Sequence, residues 1–421
     1  MVIALLLMSG WVHADKVVYI KLGSESPLMQ MAVQGNSEAL DAYALRSPGP
    51  IPRLFAEAAA ARARFDIAGS DKNAAECYAK AQALHPPAVD FMIACGELRV
   101  GNAVLAGRFA DWSAEAARVR REAYPQLPKN PGIELRVASL EAPDVSVFAG
   151  MPAPTSSRSV DTGIIPSGNG DPGALHGVLS VKTKANGMPL AMAVDTGTQI
   201  TVLSRVDAEQ VKAKQVPATV MQVASTQAAK GVEVKAAQLE SLELGGFRLN
   251  HANVGVWDLP FSVLGLDVLA QLPDPIRISD RGVAFGGGKL PGACSGRLFL
   301  RSELGARPAY LLITGTVDGA PKEFMVDTGS NSAVSRRAQA GDAPGKLIDV
   351  MTISGPSKLH SSFASQSVGI GAAPTRVDVR VVSGEAAQDL TVGNGFFSFG
   401  RTLWLSFAQQ KGCVLPNGEG Q

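Results

Sequence analysis

The tripeptide Asp-Thr-Gly occurs three times in this sequence, at Asp161, Asp195 and Asp327. The second and third copies each follow a run of apolar residues, Leu190 to Val194 and Phe324 to Val326. A carboxylate at the end of a buried strand costs free energy unless it is paired or hydrogen-bonded. The first copy follows the polar segment Ser-Ser-Arg-Ser-Val and has no repeat partner, so we interpret Asp161 as a coincidence.

The copies at Asp195 and Asp327 belong to an internal repeat. Asn186-Gly-Met-Pro-Leu-Ala-Met-Ala-Val-Asp195-Thr-Gly-Thr198 aligns without gaps on Asp318-Gly-Ala-Pro-Lys-Glu-Phe-Met-Val-Asp327-Thr-Gly-Ser330. Each copy contains an Asn-Gly or Asp-Gly hairpin turn and then an apolar strand. Further along, Val263-Leu264-Gly265 is echoed by Thr391-Val392-Gly393. The repeat predicts two duplicated β lobes, at 174–290 and 291–416.

Two such lobes, related by a pseudo-twofold axis, would bring Asp195 and Asp327 together. Carboxylates about 3 Å apart cannot both ionise, so the pair would hold one shared proton. One aspartate could then act as a general base on water, while the other donates a proton to a carbonyl oxygen.

The residues around each aspartate suit such a site. Gly197 and Gly329 lack the Cβ atom that would obstruct a close approach of the two loops. The hydroxyls of Thr196 and Thr328 could bind the main chain across the interface. The predicted supporting residues also include Thr198 and Ser330.

With two Asp-Thr-Gly-[Thr/Ser] loops in one polypeptide, the sequence resembles the aspartic peptidases. Leu264-Gly265-Leu-Asp267-Val-Leu269 is similar to the retropepsin-like proteases of bacteria. In that family an apolar pair and a glycine form part of a ψ-shaped loop. The resemblance assigns this loop to Leu264 and Gly265, and to Val392 and Gly393, although the second copy lacks the Leu-Asp-x-Leu continuation.

The resemblance covers about Ala174 to Pro416. It implies a mainly β, bilobed aspartic protease that cleaves a protein or peptide substrate without a cofactor or a metal. One alternative is that each aspartate only caps a β-turn, in a non-catalytic binding protein with the same fold. Another is that the helical region is the functional scaffold. Whether two carboxylates meet and share a proton distinguishes these readings.

Composition excludes several other classes. Lys and Arg total 39 and Asp and Glu total 38, so no basic surplus suggests nucleic-acid binding. The 44 Gly and 26 Pro favour many short strands rather than a helix bundle. The sequence lacks G-x-S-x-G, H-E-x-x-H and P-loop patterns and shows no metal-ligand spacing.

The region 15–149 is predicted to be α-helical. It resembles a tetratricopeptide unit, because suitable residues stand at that motif's spacings, namely Phe65, Ala74, Tyr78, Ala81 and Pro86. Arg62 departs from the pattern where a small residue is expected. An ordinary helical hairpin pair fits equally well. Such a region could bind a protein partner.

The N-terminus predicts an export signal over 1–14. Val2 to Met8 is an apolar run too short to span a bilayer, and Val12-His13-Ala14 offers a cleavage site. The mature chain is therefore expected in the bacterial periplasm or outside the cell, without a membrane span. A loop rich in Pro, Gly and Ser at 150–173 is expected to link the two regions.

Four cysteines remain after this cleavage, and export permits disulfides between them. Cys294 is expected to precede the first strand of the second lobe, and Cys413 to follow its last strand. We therefore expect a Cys294–Cys413 bond, with unpaired buried thiols as the alternative.

Overall fold

The computed structural model describes residues 26–127, 159–160, 162–166, 177–223, 232–280, 282–286, 289–305, 309–343, 345–352, 355–383 and 390–417. The predicted export signal and Asp161 lie outside these residues. The chain divides into two compact units, one mainly helical and one mainly β.

The helical unit begins with short, well-capped helices. The Ser26 hydroxyl accepts from Met29 N, and the Asp66 carboxylate accepts from Gly69 N, so each cap satisfies an amide that has no partner within its helix. The helices are α1 (Pro27–Val33), α2 (Ser37–Arg46), α3 (Pro50–Ala63), α4 (Ile67–Gln82), α5 (Val89–Leu105) and α6 (Phe109–Glu122), followed by a 3-10 turn (Tyr124–Gln126).

Small residues allow these helices to pack closely. Most of the alanines of α3 are buried, and Phe55 meets Phe91 edge to face with ring centroids 6.1 Å apart. A disulfide between Cys77 and Cys95 joins α4 to α5. The predicted helical region is therefore present; the tetratricopeptide resemblance stays a prediction.

Arg62 is buried in the helical unit, which also includes the segment Leu300–Arg307. Its guanidinium donates to Asn102 Oδ1 and to the carbonyl oxygens of Leu98, Glu303 and Leu304. Burial lowers its pKa to about 9. These acceptors explain why an arginine is tolerated where a small residue is expected, since its buried guanidinium finds four hydrogen-bond partners.

The β unit contains two lobes. The first contains β1 (Ser159–Val160), β2 (Thr162–Pro166), β3 (Gly177–Ala185), β4 (Met188–Val194), β5 (Val202–Ser204), α7 (Arg205–Gln210), β6 (Lys214–Val223), β7 (Val232–Gln238), β8 (Ser241–Leu244), β9 (Phe247–Asn250), β10 (Asn253–Trp257), β11 (Ser262–Leu264), α8 (Leu266–Leu269), β12 (Ile276–Ser279) and β13 (Gly282–Phe285). The second contains β14 (Gly296–Ser302), β15 (Ala309–Val317), β16 (Ala320–Asp327), β17 (Val334–Arg337), β18 (Lys346–Thr352), β19 (Gly355–Ile370), β20 (Thr375–Ser383), β21 (Leu390–Gly393), a 3-10 turn (Asn394–Phe399), β22 (Arg401–Ser406) and β23 (Lys411–Pro416).

The two lobes repeat one topology. In each, a hairpin (β3–β4 or β15–β16) leads to a parallel pairing of its second strand with a later strand, β4 with β11 and β16 with β21. The lobes are joined by antiparallel pairing of β12 with β22, in which Ile276 stands opposite Leu405. The predicted fold class, mainly β and bilobed after a helical region, is confirmed.

The prediction of a structureless linker at 150–173 is wrong over two short stretches. β1 pairs with β13, and β2 pairs with β3. A strand added to a sheet edge is held by main-chain hydrogen bonds, so it needs little apolar periodicity of its own. That is why the Pro- and Gly-rich composition concealed it.

Over the described ranges, no helix is both long and apolar enough to cross a membrane. The same residues contain no cluster of three or more His, Cys, Asp or Glu side chains suited to a metal ion.

Candidate active site

Asp195 and Asp327 stand at the ends of corresponding strands, β4 and β16. Each strand pairs in parallel with the strand of the predicted ψ-loop. Leu264 lies opposite Val194, and Gly393 lies opposite Asp327. The amide of Asp195 also donates to Leu264 O at 3.1 Å. The ψ-loop strands therefore fix the main chain from which both carboxyl groups project.

The second ψ-loop occupies the place that the repeat alignment assigned to it. Val392 pairs with Val326 on β16, as Leu264 pairs with Val194 on β4. Gly265 and Gly393 follow in close contact with the chain after each motif, where a Cβ atom would collide with main-chain atoms. The missing Leu-Asp-x-Leu continuation therefore does not alter this pairing.

The two motifs meet at the interface of the lobes. A Cβ atom added to Gly197 would lie 2.7 Å from Asp327 Oδ1, and one added to Gly329 would lie 2.6 Å from Asp195 Cγ. Each glycine thus contacts the aspartate of the other lobe. The carboxyl groups of Asp195 and Asp327 are linked by a side-chain hydrogen bond.

Both aspartates are partly buried, and the donors around them differ. Asp195 Oδ1 accepts from Gly197 N at 2.7 Å, and Asp195 Oδ2 accepts from Thr198 Oγ1 at 2.6 Å. Asp327 Oδ1 accepts from Gly329 N at 3.1 Å, and the amide of Ser330 also binds the Asp327 carboxyl. Each carboxyl group thus accepts the amide of its motif glycine, and Asp195 also accepts the hydroxyl of Thr198.

The pKa of Asp327 is raised well above its usual value. Burial is the main cause, followed by the neighbouring charge of Asp195 and by the hydrogen bond between the two carboxyl groups. Amide donors from Gly329 and Ser330 oppose the rise in pKa only in part. This arrangement favours a pair that carries a single proton.

Thr196 and Thr328 are fully buried between the lobes. Thr196 Oγ1 donates to Val326 O and Thr328 Oγ1 donates to Val194 O, both at 2.7 Å. Each hydroxyl also accepts the amide of the other threonine, at 3.1 and 3.2 Å. The threonines thus lie where cross-lobe hydrogen bonds were predicted.

One buried group near the site was not identified as functional from the sequence. Asp267 is 1% exposed, and its Oδ1 accepts from both the amide and the hydroxyl of Thr201, each at 2.8 Å. Burial raises its pKa to about 6. A carboxylate between the apolar residues Leu266 and Val268 was the available signal, because charged side chains are rarely buried without a partner.

The predicted cysteine pair lies away from the dyad. Cys294 and Cys413 form a disulfide with Cα atoms 5.0 Å apart. It lies beside the pairing of β14 with β23, in a small apolar cluster that includes Trp404 and Leu415. This bond closes the second lobe and contributes no group to the site.

Residues 181–271 match the family model described as gag-polyprotein putative aspartyl protease. This segment contains Asp195, β11 and α8 and ends before the second lobe. No curated relative matches the chain at a significant level.

Several solved structures are similar to parts of the chain. A retropepsin-like aspartic protease from Rickettsia conorii is 19% identical, with 31% of this chain and 94% of that chain covered and a TM-score of 0.22. The EIAV protease complexed with the inhibitor HBY-793 is 22% identical, with 22% and 84% covered and a TM-score of 0.18. Basic 7S globulin from soybean is 10% identical, with 62% and 98% covered and a TM-score of 0.36. Over residues 181–271, the family match confirms the predicted resemblance to aspartic proteases.

Proposed function

We propose that this protein is an aspartic endopeptidase that hydrolyses peptide bonds with a water molecule activated between Asp195 and Asp327. The observation that carries the proposal is the meeting of two repeated Asp-Thr-Gly loops, each glycine against the aspartate of the other lobe. A turn aspartate that only caps its own loop would need no such partner.

The proposed mechanism follows from the raised pKa of Asp327. Protonated Asp327 donates a hydrogen bond and then the proton to the carbonyl oxygen of the scissile peptide bond. Ionised Asp195 removes a proton from water, and the resulting hydroxide attacks the carbonyl carbon. Asp195 then gives the proton that it took from water to the leaving nitrogen, and Asp327 takes a proton back from a hydroxyl of the tetrahedral intermediate. The C–N bond breaks, a carboxyl and an amine terminus form, and the pair returns to its starting state.

Two further parts of the proposal concern the remaining regions. The apolar N-terminal run supports export to the periplasm or beyond the cell. The packed helices at 27–122 support a module that binds a protein partner or the substrate. Peptide display against the full chain, with hydrogen exchange used to locate the bound peptides, tests the second point.

The proposed activity is tested by incubating the purified protein with a peptide mixture in water enriched in oxygen-18, from pH 3 to pH 8. New carboxyl termini carrying one heavy oxygen, absent with the Asp327→Asn variant, are expected. A wild-type protein that produces no new termini at any pH would contradict the proposal and favour a non-catalytic binding protein.

A further inference from the structure

Asp267 carries a carboxyl group whose hydrogen bonding is one-sided. Its Oδ1 accepts from Thr201 N, Thr201 Oγ1 and Val268 N, all at 2.8 Å. Its Oδ2 is buried and has no hydrogen-bond partner among the described residues. A buried group with an unsatisfied oxygen lowers stability, and an apolar residue of similar size would avoid that loss. Packing alone therefore does not account for an aspartate at position 267.

The residue is connected to Asp195 through the turn that follows the first motif. Asp267 N donates to Gln199 O at 3.0 Å, and the preceding amide, of Leu266, donates to Thr198 O at 2.8 Å. Thr198 Oγ1 is the hydroxyl that binds Asp195 Oδ2. The start of α8 thus binds the turn at 198–201 through the amides of Leu266 and Asp267 and through the Asp267 side chain.

Thr201 makes the connection rigid. Its hydroxyl donates to Asp267 Oδ1 and accepts from Gly265 N at 3.1 Å, and its carbonyl accepts from Gly255 N at 2.8 Å. Both residues are buried, Thr201 at 0% and Asp267 at 1% exposure. A side chain held by this many bonds has one available rotamer, so it transmits a fixed position to the turn.

The second lobe builds the corresponding turn differently. The repeat alignment places Ala333 opposite Thr201 and Gly395 opposite Asp267. The main chains approach directly, because a Cβ atom on Gly395 would lie 2.6 Å from Asn331 O and 2.7 Å from Ala333 N. The hydrogen bond from the Leu266 amide has its counterpart in Asn394 N, which donates to Ser330 O at 2.8 Å. The hydrogen bonds from Thr201 to the Asp267 carboxylate have no counterpart in the second lobe, because Gly395 has no side chain.

We propose that Asp267 is a positioning residue for Asp195: by fixing the turn at 198–201 through Thr201, it holds the Thr198 hydroxyl against Asp195 Oδ2. The assignment rests on the proposed endopeptidase function. Asp267 touches neither substrate nor the reacting atoms. It makes the aspartate of the first lobe dependent on a buried carboxyl group, whereas the aspartate of the second lobe depends on close contact of main chains.

The test compares Asp267→Ala, Asp267→Asn and a matched control, Asp274→Asn. Asp274 also uses a carboxylate to bind a buried hydroxyl and an amide, those of Ser406 and Phe407, but it precedes β12 and lies outside the turn. For each variant, kcat and KM are measured on one cleaved peptide. Amide hydrogen exchange at 197–201 is followed by mass spectrometry, under conditions in which the variants have equal free energies of unfolding.

Asp267→Ala is expected to lower kcat about tenfold or more with KM within about twofold, because a misplaced base slows chemistry more than binding. It should also speed exchange at 197–201. Asp267→Asn keeps an oxygen that can accept from Thr201 N and should restore most of kcat. Asp274→Asn should alter neither kcat nor exchange at these residues.

An unchanged kcat in Asp267→Ala, or a loss confined to KM, would overturn the assignment. A wild-type protein that cleaves no peptide would instead show that the endopeptidase proposal fails. Hydrogen exchange then tests whether Asp267 fixes the turn. Faster exchange at 197–201 in Asp267→Ala alone would support this role, and equal exchange in all variants would exclude it.

Discussion

Thr196 and Thr328 form two equivalent hydrogen bonds across the interface of the lobes, one from each threonine hydroxyl. The hydroxyl of each donates, at 2.7 Å, to the carbonyl of the residue that precedes the aspartate of the other lobe, Val326 or Val194. The positions of the Asp195 and Asp327 carboxyl groups are therefore set by both lobes. Because both threonines are buried, the four cross-lobe hydrogen bonds do not compete with water.

Replacing either threonine by valine should reduce both stability and cleavage. Thr196→Val keeps the shape but leaves Val326 O without its donor, and an unsatisfied buried carbonyl typically costs about 1–3 kcal/mol. The matched control is Thr183→Val, which removes an equally buried bond, to Leu190 O at 2.9 Å, within one lobe. Urea unfolding should show similar losses for both variants, whereas kcat should fall only for Thr196→Val. Equal kcat values in the two variants would refute the positioning role of the cross-lobe threonine hydrogen bonds.

A methyl group at either motif glycine should abolish cleavage. The Cβ of Gly329→Ala would lie 2.6 Å from Asp195 Cγ, well inside van der Waals contact, so the loops must separate. Gly292→Ala is the control, because a Cβ at that position meets no atom within 4 Å. Peptide cleavage assays should show activity loss of at least about a hundredfold for Gly329→Ala, as expected for a displacement near 1 Å. A nearly active Gly329→Ala protein would show that the loops need not touch.

Cleavage should follow a bell-shaped pH profile with its optimum in the acidic to near-neutral range. The pKa of Asp327 is raised by burial and by Asp195, so the shared proton persists above the usual range of a carboxyl group. Activity falls as pH rises through the raised pKa, because the proton donor is lost. It also falls at low pH, when the second carboxyl becomes protonated.

The same shift has a consequence for folding. A carboxyl whose pKa is raised in the folded state contributes stability that is present below its ordinary pKa of 3.8 and is lost as pH rises through the raised pKa. Asp327→Asn should therefore unfold at a higher temperature than the wild type at neutral pH, and this difference in unfolding temperature should disappear in acid.

For the pH profile of cleavage, an activity that increases steadily into the alkaline range, or that is lost with a chelator and restored by zinc, would indicate another mechanism.

The disulfide between Cys294 and Cys413 should stabilise the second lobe. It closes a loop with a sequence separation of 119, for which the chain-entropy model gives about 5 kcal/mol. Peptide mapping without reductant should recover this pair and the pair Cys77–Cys95. The Cys294→Ser and Cys413→Ser double variant should unfold at lower urea concentration than the wild type. Free thiols at both positions in the oxidised protein would disprove the bond.

Much of the site could be predicted because the repeat carries its geometry. A gap-free duplication that ends in Asp-Thr-Gly fixes two equivalent strand ends, and the pairing of β16 with β21 follows the same rule as β4 with β11. The role of Asp267 could not be found in this way, since the second copy has Gly395 there. When a contact is made by a side chain in one lobe and by the main chain in the other, the two copies of the repeat share no residue that would reveal it.

Tertiary contacts also explain what composition concealed. β2 forms a strand because the edge of β3 offers it hydrogen bonds, although its own sequence reads as a loop. Arg62 is tolerated in an alanine-rich helix because its guanidinium donates to carbonyl groups distant in sequence, at Glu303 and Leu304. Neither partner can be identified from the local pattern of residues.

The most direct test of the account is a comparison of three matched aspartate variants on a single cleaved peptide. Asp195→Asn and Asp327→Asn should each reduce kcat/KM by at least about ten-thousandfold, because each removes one half of a shared acid–base pair. Asp161→Asn, in the first Asp-Thr-Gly copy, should retain wild-type activity. Substantial cleavage by folded Asp195→Asn or Asp327→Asn protein, or its loss in Asp161→Asn, would contradict the assignment of the dyad.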